Sequence, residues 1–321
     1  MVHTDARSRS RVAVMVALPA LAGTLLLSGC DKNGINASST AASTQSGTVS
    51  QGGYVALGDS YTAGPDIPDQ TGSPAGCERS SENYPADLAQ ALGLDSSRFD
   101  DVSCTGATIS NLTETQSTKN GVNPAQLDAL SASDTIVTLG ISGNDVDFAG
   151  VLTHCVETDI APTLIGSWAA DSTPCEAYYT SGGTNRLDEK INTAAANLAT
   201  ALKQIGQRAP HARVYVVGYP ELLPSGGTSC AHALGITSGD VAFLNQEEQR
   251  LNSMLSTQAR AAGDVYVDTY SPSQGHDACS DTDTRWIEPL IPASPAAQLH
   301  PNARGEQGMA NAVLAAIKSA S

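Results

Sequence analysis

A buried-strand pattern that stops at a glycine and then presents a serine constrains this chain most: Tyr54-Val55-Ala56-Leu57-Gly58-Asp59-Ser60-Tyr61-Thr62-Ala63-Gly64. Four successive residues with no polar alternation suit a strand covered on both faces, as in parallel sheets. Parallel strands need long crossovers, and the chain supplies helical patterns between its strand patterns. After the serine turn a helix is predicted over Tyr84–Leu92, then a short strand over Phe99–Ser103 and a helical piece over Ala125–Leu130. The β-branched run Asp134–Leu139, ending at Gly140, reads as the third strand. A loop and the Cys155–Cys175 segment follow, then a long helix over Asn185–Gln207. Beyond these come a strand over Arg213–Val217, a helix over Asp240–Ala262, a short strand over Asp264–Asp268 and an amphipathic helix over Ala303–Ser319. The alternation predicts an α/β fold with a largely parallel sheet. Strand order does not follow from it.

Residues 1–29 read as an export signal: Arg7, Arg9 and Arg11 precede an apolar run from Val12 to Leu27, which is too abruptly ended to favour a stable span. The ending Leu27-Ser28-Gly29-Cys30 resembles the lipobox of bacterial lipoproteins, in which the cysteine is lipidated. Cleavage after Ala20-Leu21-Ala22, giving a simply secreted protein, is the alternative. Seven cysteines are an odd number. Assigning Cys30 to a lipid leaves an even set of six, suited to disulfides in an oxidising compartment. Residues 30–51 read as the lipidated cysteine and a flexible Ser/Thr/Gly linker, with a reach of roughly 25 Å. Residues 52–321 are then one domain, expected as a monomer on the outer face of the cell membrane. The net charge of −16 becomes −18 without residues 1–29, which carry three Arg and one Asp. Such acidity argues against nucleic acid as a partner and against electrostatic binding to anionic lipid.

Serine alone is a weak nucleophile, so Ser60 needs a base and oxyanion donors. In a parallel sheet the turns Ser103-Cys104-Thr105-Gly106-Ala107 and Leu139-Gly140-Ile141-Ser142-Gly143-Asn144-Asp145 open at the same edge as the Ser60 turn. They could offer the Gly106 N–H and the Asn144 amide to one point. The G-x-S-x-G elbow is absent, because position 62 is Thr. Of six histidines, His3 lies in the signal, and His154, His211 and His232 read as loop or surface residues. His300 precedes Pro301-Asn302 and a helix, with Asn302 a candidate N-cap, and is the favoured base. His276, beside Asp277, competes with it. Asp59 reads as an organiser of the turn. No cysteine spacing fits a zinc or redox motif, and no metal or cofactor is expected.

The blocks Gly58-Asp59-Ser60-Tyr61, Gly106, Gly143-Asn144-Asp145 and His300-Pro301-Asn302, in this order, resemble the SGNH hydrolases, also called GDSL esterases and lipases. Gly275-His276-Asp277-Ala278-Cys279 and Arg285-Trp286-Ile287-Glu288 resemble its secreted three-disulfide branch. The resemblance implies a flavodoxin-like three-layer α/β/α sandwich with a five-stranded parallel sheet. It implies Ser60 as nucleophile, His300 as general base and acid, and an oxyanion hole of the Ser60 and Gly106 N–H groups and the Asn144 side chain. It also implies the bridges Cys77–Cys104, Cys155–Cys175 and Cys230–Cys279. Many members carry Asp three residues before the histidine, but position 297 is Ala. The orienting acceptor is therefore expected to be the main-chain carbonyl of Ala297 or Gln298, with Asp277 or Glu288 as carboxylates that could approach in space.

The function expected is extracytoplasmic hydrolysis of small-molecule or lipid carboxylic esters. Two alternatives stand beside it: a non-catalytic ligand-binding surface lipoprotein, and a carbohydrate O-deacetylase of the same fold. Retaining glycoside hydrolysis needs two converging acids, and no pair is singled out. Aromatic residues make up only 4% of the chain, which favours lipid or simple esters over a sugar platform.

Overall fold

Five parallel strands form one sheet, whose three central strands bury apolar side chains on both faces. The computed structural model describes residues 52–165, 172–226, 230 and 234–320, with backbone alone from 160 to 165. The expected signal, Cys30, the 31–51 linker and His232 lie outside the described residues. The strands are β1 (Gly53–Gly58), β2 (Phe99–Asp101), β3 (Asp134–Gly140), β4 (Arg213–Val217) and β5 (Val265–Val267), in the order β2-β1-β3-β4-β5. This is the flavodoxin-like order, which reverses direction at β1 and β3 and so opens a crevice outside their carboxyl ends.

Side chains alternate between two helical layers. Val55, Leu57, Val137, Leu139, Val214 and Val216 share one apolar cluster with Leu198, Leu202, Leu251 and Leu255. These leucines come from α5 (Arg186–Arg208) and α6 (Ser238–Ala262), numbered after α1 (Ser60–Ala63), α2 (Tyr84–Ala91), α3 (Phe148–Ile165) and α4 (Pro174–Tyr179). On the opposite face Tyr54, Ala56, Ile136, Tyr215 and Val217 pack with Tyr84 and Leu88 of α2. Met309, Val313 and Ile317 of the last helix join them; this is α8 (Ala303–Ser319), which follows the one-turn α7 (Tyr270–Ser273). A third cluster lies beyond the strand ends, where Val151, Leu152, Leu222, Leu244 and Ile287 surround Cys155, Cys175 and Cys230. Disulfides join Cys77 to Cys104, Cys155 to Cys175, and Cys230 to Cys279.

Several boundaries differ from the sequence expectation, each for a local reason. Strand β2 stops at Asp101, not Ser103, because the Asp101 carboxylate accepts the Ser103 N–H at 3.0 Å and hydroxyl at 2.6 Å, turning the chain. The helical piece at Ala125–Leu130 is a single 3-10 turn, Gln126–Ala129, whose Gln126 amide is committed to Gly58. Helix α6 begins at Ser238 because Thr237 caps it, its hydroxyl accepting the Asp240 N–H. Strand β5 is trimmed to Val265–Val267. Cys155 lies in α3 and Cys175 in α4, two helices that periodicity did not reveal. Helix α3 mixes apolar, small and polar residues without one stripe, and buries Val151, Leu152, Cys155 and even Asp159.

Candidate active site

Three turns meet where the strand order reverses. Strand β1 ends at Gly58, whose N–H donates to Gln126 Oε1 at 2.8 Å and whose carbonyl accepts from Gln126 Nε2 at 2.9 Å. A Cβ at Gly58 would stand 2.6 Å from the Gly140 carbonyl and clash with the Thr62 hydroxyl, so only glycine lets β1 and β3 close up here. Asp59 caps the one-turn α1, accepting the Tyr61 N–H at 3.0 Å. Ser60 is the first residue of that turn and is 7% exposed. The second turn is tied to the first through the Cys104 N–H, which donates to the Gly58 carbonyl at 3.0 Å. Gly106 follows at φ +78°, a conformation favouring glycine. Among the described residues neither the Ser60 nor the Gly106 N–H donates a hydrogen bond within the protein. In the third turn Asn144 Nδ2 donates to the Ala107 carbonyl at 2.9 Å, which leaves one amide hydrogen free. The Asp145 carboxylate accepts the Ile109 N–H at 3.1 Å and is pushed up to about 6 by burial.

His300 reaches this place from the far end of the chain. Its Nε2 lies 2.8 Å from Ser60 Oγ, and its Nδ1 lies 2.8 Å from the Gln298 carbonyl. A carbonyl can only accept, so Nδ1 carries the proton and the neutral ring keeps Nε2 as the acceptor of the Ser60 hydroxyl. Of the two carbonyls considered, Gln298 is the one in contact with the ring nitrogen; the Ala297 carbonyl accepts the His300 N–H instead, at 3.2 Å. Neither candidate carboxylate approaches the ring. Glu288 accepts from the Ala293 and Ser294 N–H groups and from Asn302 Nδ2, and Asp277 accepts from the Cys279 N–H and the Ser280 hydroxyl. Burial alone would raise Glu288, but the Asn302 amide and the two N–H donors together leave it lowered. Backbone bonds from Glu288 N to the His300 carbonyl and from Leu299 N to the Glu288 carbonyl hold the histidine loop. Tyr61 adds a bond from its hydroxyl to the Leu299 carbonyl at 2.6 Å, and its ring lies 4.9 Å from the imidazole. Leu299 sits at φ +59° and Ser142 at φ +112°, so strained non-glycine residues flank both His300 and Asn144.

One residue joining these turns escaped the sequence reading. Tyr219, just past β4, donates its hydroxyl to Asp59 Oδ2 at 2.5 Å and accepts the Gly143 N–H at 2.7 Å. It thereby fixes the Ser60 turn against the Asn144 turn. Burial pushes Asp59 up to about 7, against the pull of the Tyr219 and Tyr61 bonds. The same burial, then the Asp59 charge, raises Tyr219 well above the ordinary tyrosine value. The signal available was its place, since it follows a strand that ends at the same sheet edge as β1 and β3.

The turns open into a cleft of about 370 Å³, lined by Ser60, Gly106, Asn144 and His300 at one side. Phe148, Leu152, Leu222, Leu251 and Leu290 give it an apolar wall. The competing His276 is elsewhere: its Nδ1 pairs with the Thr284 carbonyl at 2.6 Å and its ring stacks on Trp286 at 4.9 Å. His154 packs 4.1 Å from the Tyr178 ring on α4, and His211 is exposed before β4. Among the described residues Cys230, Asp277 and Cys279 form the one convergence of three metal-ligand types. Both sulfurs are spent on a disulfide, so they offer no thiolate.

A flavodoxin-like sheet with a serine, a histidine and unpaired donors at its switch point defines a serine hydrolase built on an α/β/α sandwich, without the G-x-S-x-G elbow. The model of the GDSL-like lipase and acylhydrolase family matches residues 56–307, and the chain belongs to that family. It is 38% identical to Lipase 2 of Streptomyces coelicolor over 300 residues, 92% of this chain and 94% of that one. Solved structures similar to this chain include two from Streptomyces. The phospholipase A1 of Streptomyces albidoflavus NA297 matches at a TM-score of 0.62 and 31% identity, covering 83% of this chain and 98% of that one. The extracellular lipase of Streptomyces rimosus matches at a TM-score of 0.66 and 27% identity, covering 83% and 99%. The chain is a carboxylic ester hydrolase, and its three disulfides suit an oxidising compartment.

Proposed function

We propose that Ser60 and His300 carry the hydrolysis as a dyad, and that the Ser60 N–H, the Gly106 N–H and Asn144 Nδ2 hold the oxyanion. The observation that carries this reading is the 2.8 Å bond between Ser60 Oγ and His300 Nε2 at the mouth of the cleft. His300 takes the hydroxyl proton as Oγ bonds to the ester carbonyl carbon, and the carbonyl oxygen becomes an anion. As that anion collapses, the carbon–oxygen bond to the alcohol breaks and His300 protonates the departing oxygen. Water, deprotonated by the same imidazole, then attacks the acyl carbon; the bond from that carbon to Oγ breaks, His300 returns the proton to Ser60, and the carboxylic acid leaves. The Gln298 carbonyl holds the ring in the right tautomer throughout, but as a neutral group it stabilises the imidazolium less than a carboxylate would. The apolar wall supports lipid or simple acyl esters as substrates.

The protein is exported and held at the outer face of the membrane by a lipid on Cys30, through the flexible 31–51 linker, with 1–29 removed and 52–321 acting as a monomer. The lipobox-like Leu27–Cys30 and the odd cysteine left after three disulfides support this. A fluorophosphonate probe should label wild type once, at Ser60, and should not label Ser60→Ala; absence of labelling in folded wild type would refute the assignment. Cys30→Ala should move the protein from the membrane fraction to the medium. Unchanged membrane retention would rule out the anchor.

A further inference from the structure

A single carboxyl interrupts the apolar side of the cleft. Glu248 of α6 stands beside Leu222 and Leu251 and is 4% exposed. A carboxylate so placed must be paired or well hydrogen-bonded, or give up its charge. Glu248 has one donor, the Leu222 N–H, at 3.2 Å and 3.1 Å from its two oxygens. No cation reaches it, since the ion pairs among the described residues lie at Asp95, Asp147, Asp188 and Glu247. The titratable groups that face it are Glu221 after β4, Asp277 in the loop leading to Glu288, Tyr61 on α1, Tyr266 on β5 and Tyr270 on α7. None of these carries a positive charge that would favour its ionised form. Burial pushes the carboxyl well above the ordinary range; the Leu222 N–H opposes the push, and Glu221 and Asp277 add to it.

We propose that Glu248 is a specificity-determining residue of this cleft: its protonated carboxyl completes a wall that admits an alkyl acyl chain, and its ionised form repels one. A chain laid along this wall would strip water from an ionised carboxylate without offering a partner, whereas an acetyl group leaves that water in place. The inference rests on the Ser60 and His300 reading, which puts the acyl group in this cleft.

The test compares kcat/KM for p-nitrophenyl octanoate and acetate between about pH 5 and about pH 10, a span that includes buried glutamates. Ionisation of the shared catalytic groups cancels in the ratio. The octanoate-to-acetate ratio should fall as pH rises, by up to about tenfold per pH unit past the carboxyl's midpoint. In Glu248→Gln, a neutral isostere, it should stay level. A flat ratio in wild type overturns the proposal without any variant, and so does a slope retained in folded Glu248→Gln. If Ser60→Ala still hydrolyses both esters at the wild-type rate, the failure lies with the nucleophile; an inert Ser60→Ala beside a flat wild-type ratio puts it on Glu248 alone.

Discussion

At the scale of single residues, the distinctive feature is a histidine oriented by a peptide carbonyl where an acid is commonly found. Burial holds His300 below its ordinary value, with the Gln298 carbonyl and the Asp66 charge pulling the other way. In the proposed dyad protonated His300 cannot accept the Ser60 proton, so activity should be lost as pH falls through the folded value. The acid limb of kcat/KM for a soluble acetyl ester should therefore lie below pH 6.5, and a midpoint above that would contradict the burial argument. Asn144→Ala should lower kcat by about 10²–10³, as loss of one oxyanion donor does elsewhere, with little change in KM. Tyr219 is a positioning residue in this scheme. Tyr219→Phe leaves the half-buried Gly143 N–H and the buried Asp59 carboxylate each short of a partner. It should cost about 1–3 kcal/mol of stability and lower kcat more than it changes KM, read by thermal unfolding and ester kinetics.

At the scale of elements, the site depends on how closely β1 and β3 approach at the switch point. Gly58→Ala would press a methyl group against the Gly140 carbonyl at 2.6 Å and against Thr62, and backbone cannot yield as a flexible side chain does. The variant should lose both melting temperature and kcat, and adding Thr62→Ala should not restore them, because the carbonyl contact remains. Full rescue by Thr62→Ala would show that the side chain, not the strand approach, is limiting. Local signals read the long elements well: α5 buries Leu187, Ile191, Leu198, Leu202 and Ile205 at helical spacing, and α8 is capped by Asn302, whose Oδ1 accepts two N–H groups. They failed where tertiary partners take over. Helix α3 buries the polar Asp159 in line with Val151 and Cys155 and leaves Ala149 exposed, so its apolar residues mark no clean stripe, while Gln126 spends its amide on Gly58 and ends its helix after one turn.

For the whole molecule, the disulfides hold the cleft's supporting loops where a sheet alone would not. Cys77–Cys104 closes 27 residues and anchors the turn that carries Gly106. Replacing both cysteines by serine should cost about 3.5 kcal/mol on loop-closure reasoning and lower kcat as the Gly106 turn loosens. A melting temperature equal to wild type would exclude that role. Two further bridges, Cys155–Cys175 and Cys230–Cys279, lie in the cluster beyond the strand ends, which backs the apolar wall of the cleft.

What the sequence by itself determined is what short-range patterns can encode: buried runs ending at glycines, helices with caps, an α/β alternation and a serine at a strand end. The family blocks added a histidine 240 positions from that serine. Tertiary structure decided the strand order, the choice of Gln298 over Ala297, the exclusion of Glu288 and Asp277 from the imidazole, and the places of Tyr219 and Glu248. These depend on contacts between segments far apart in the chain. Periodicity records which face of an element is buried, but not which distant partner will bury it.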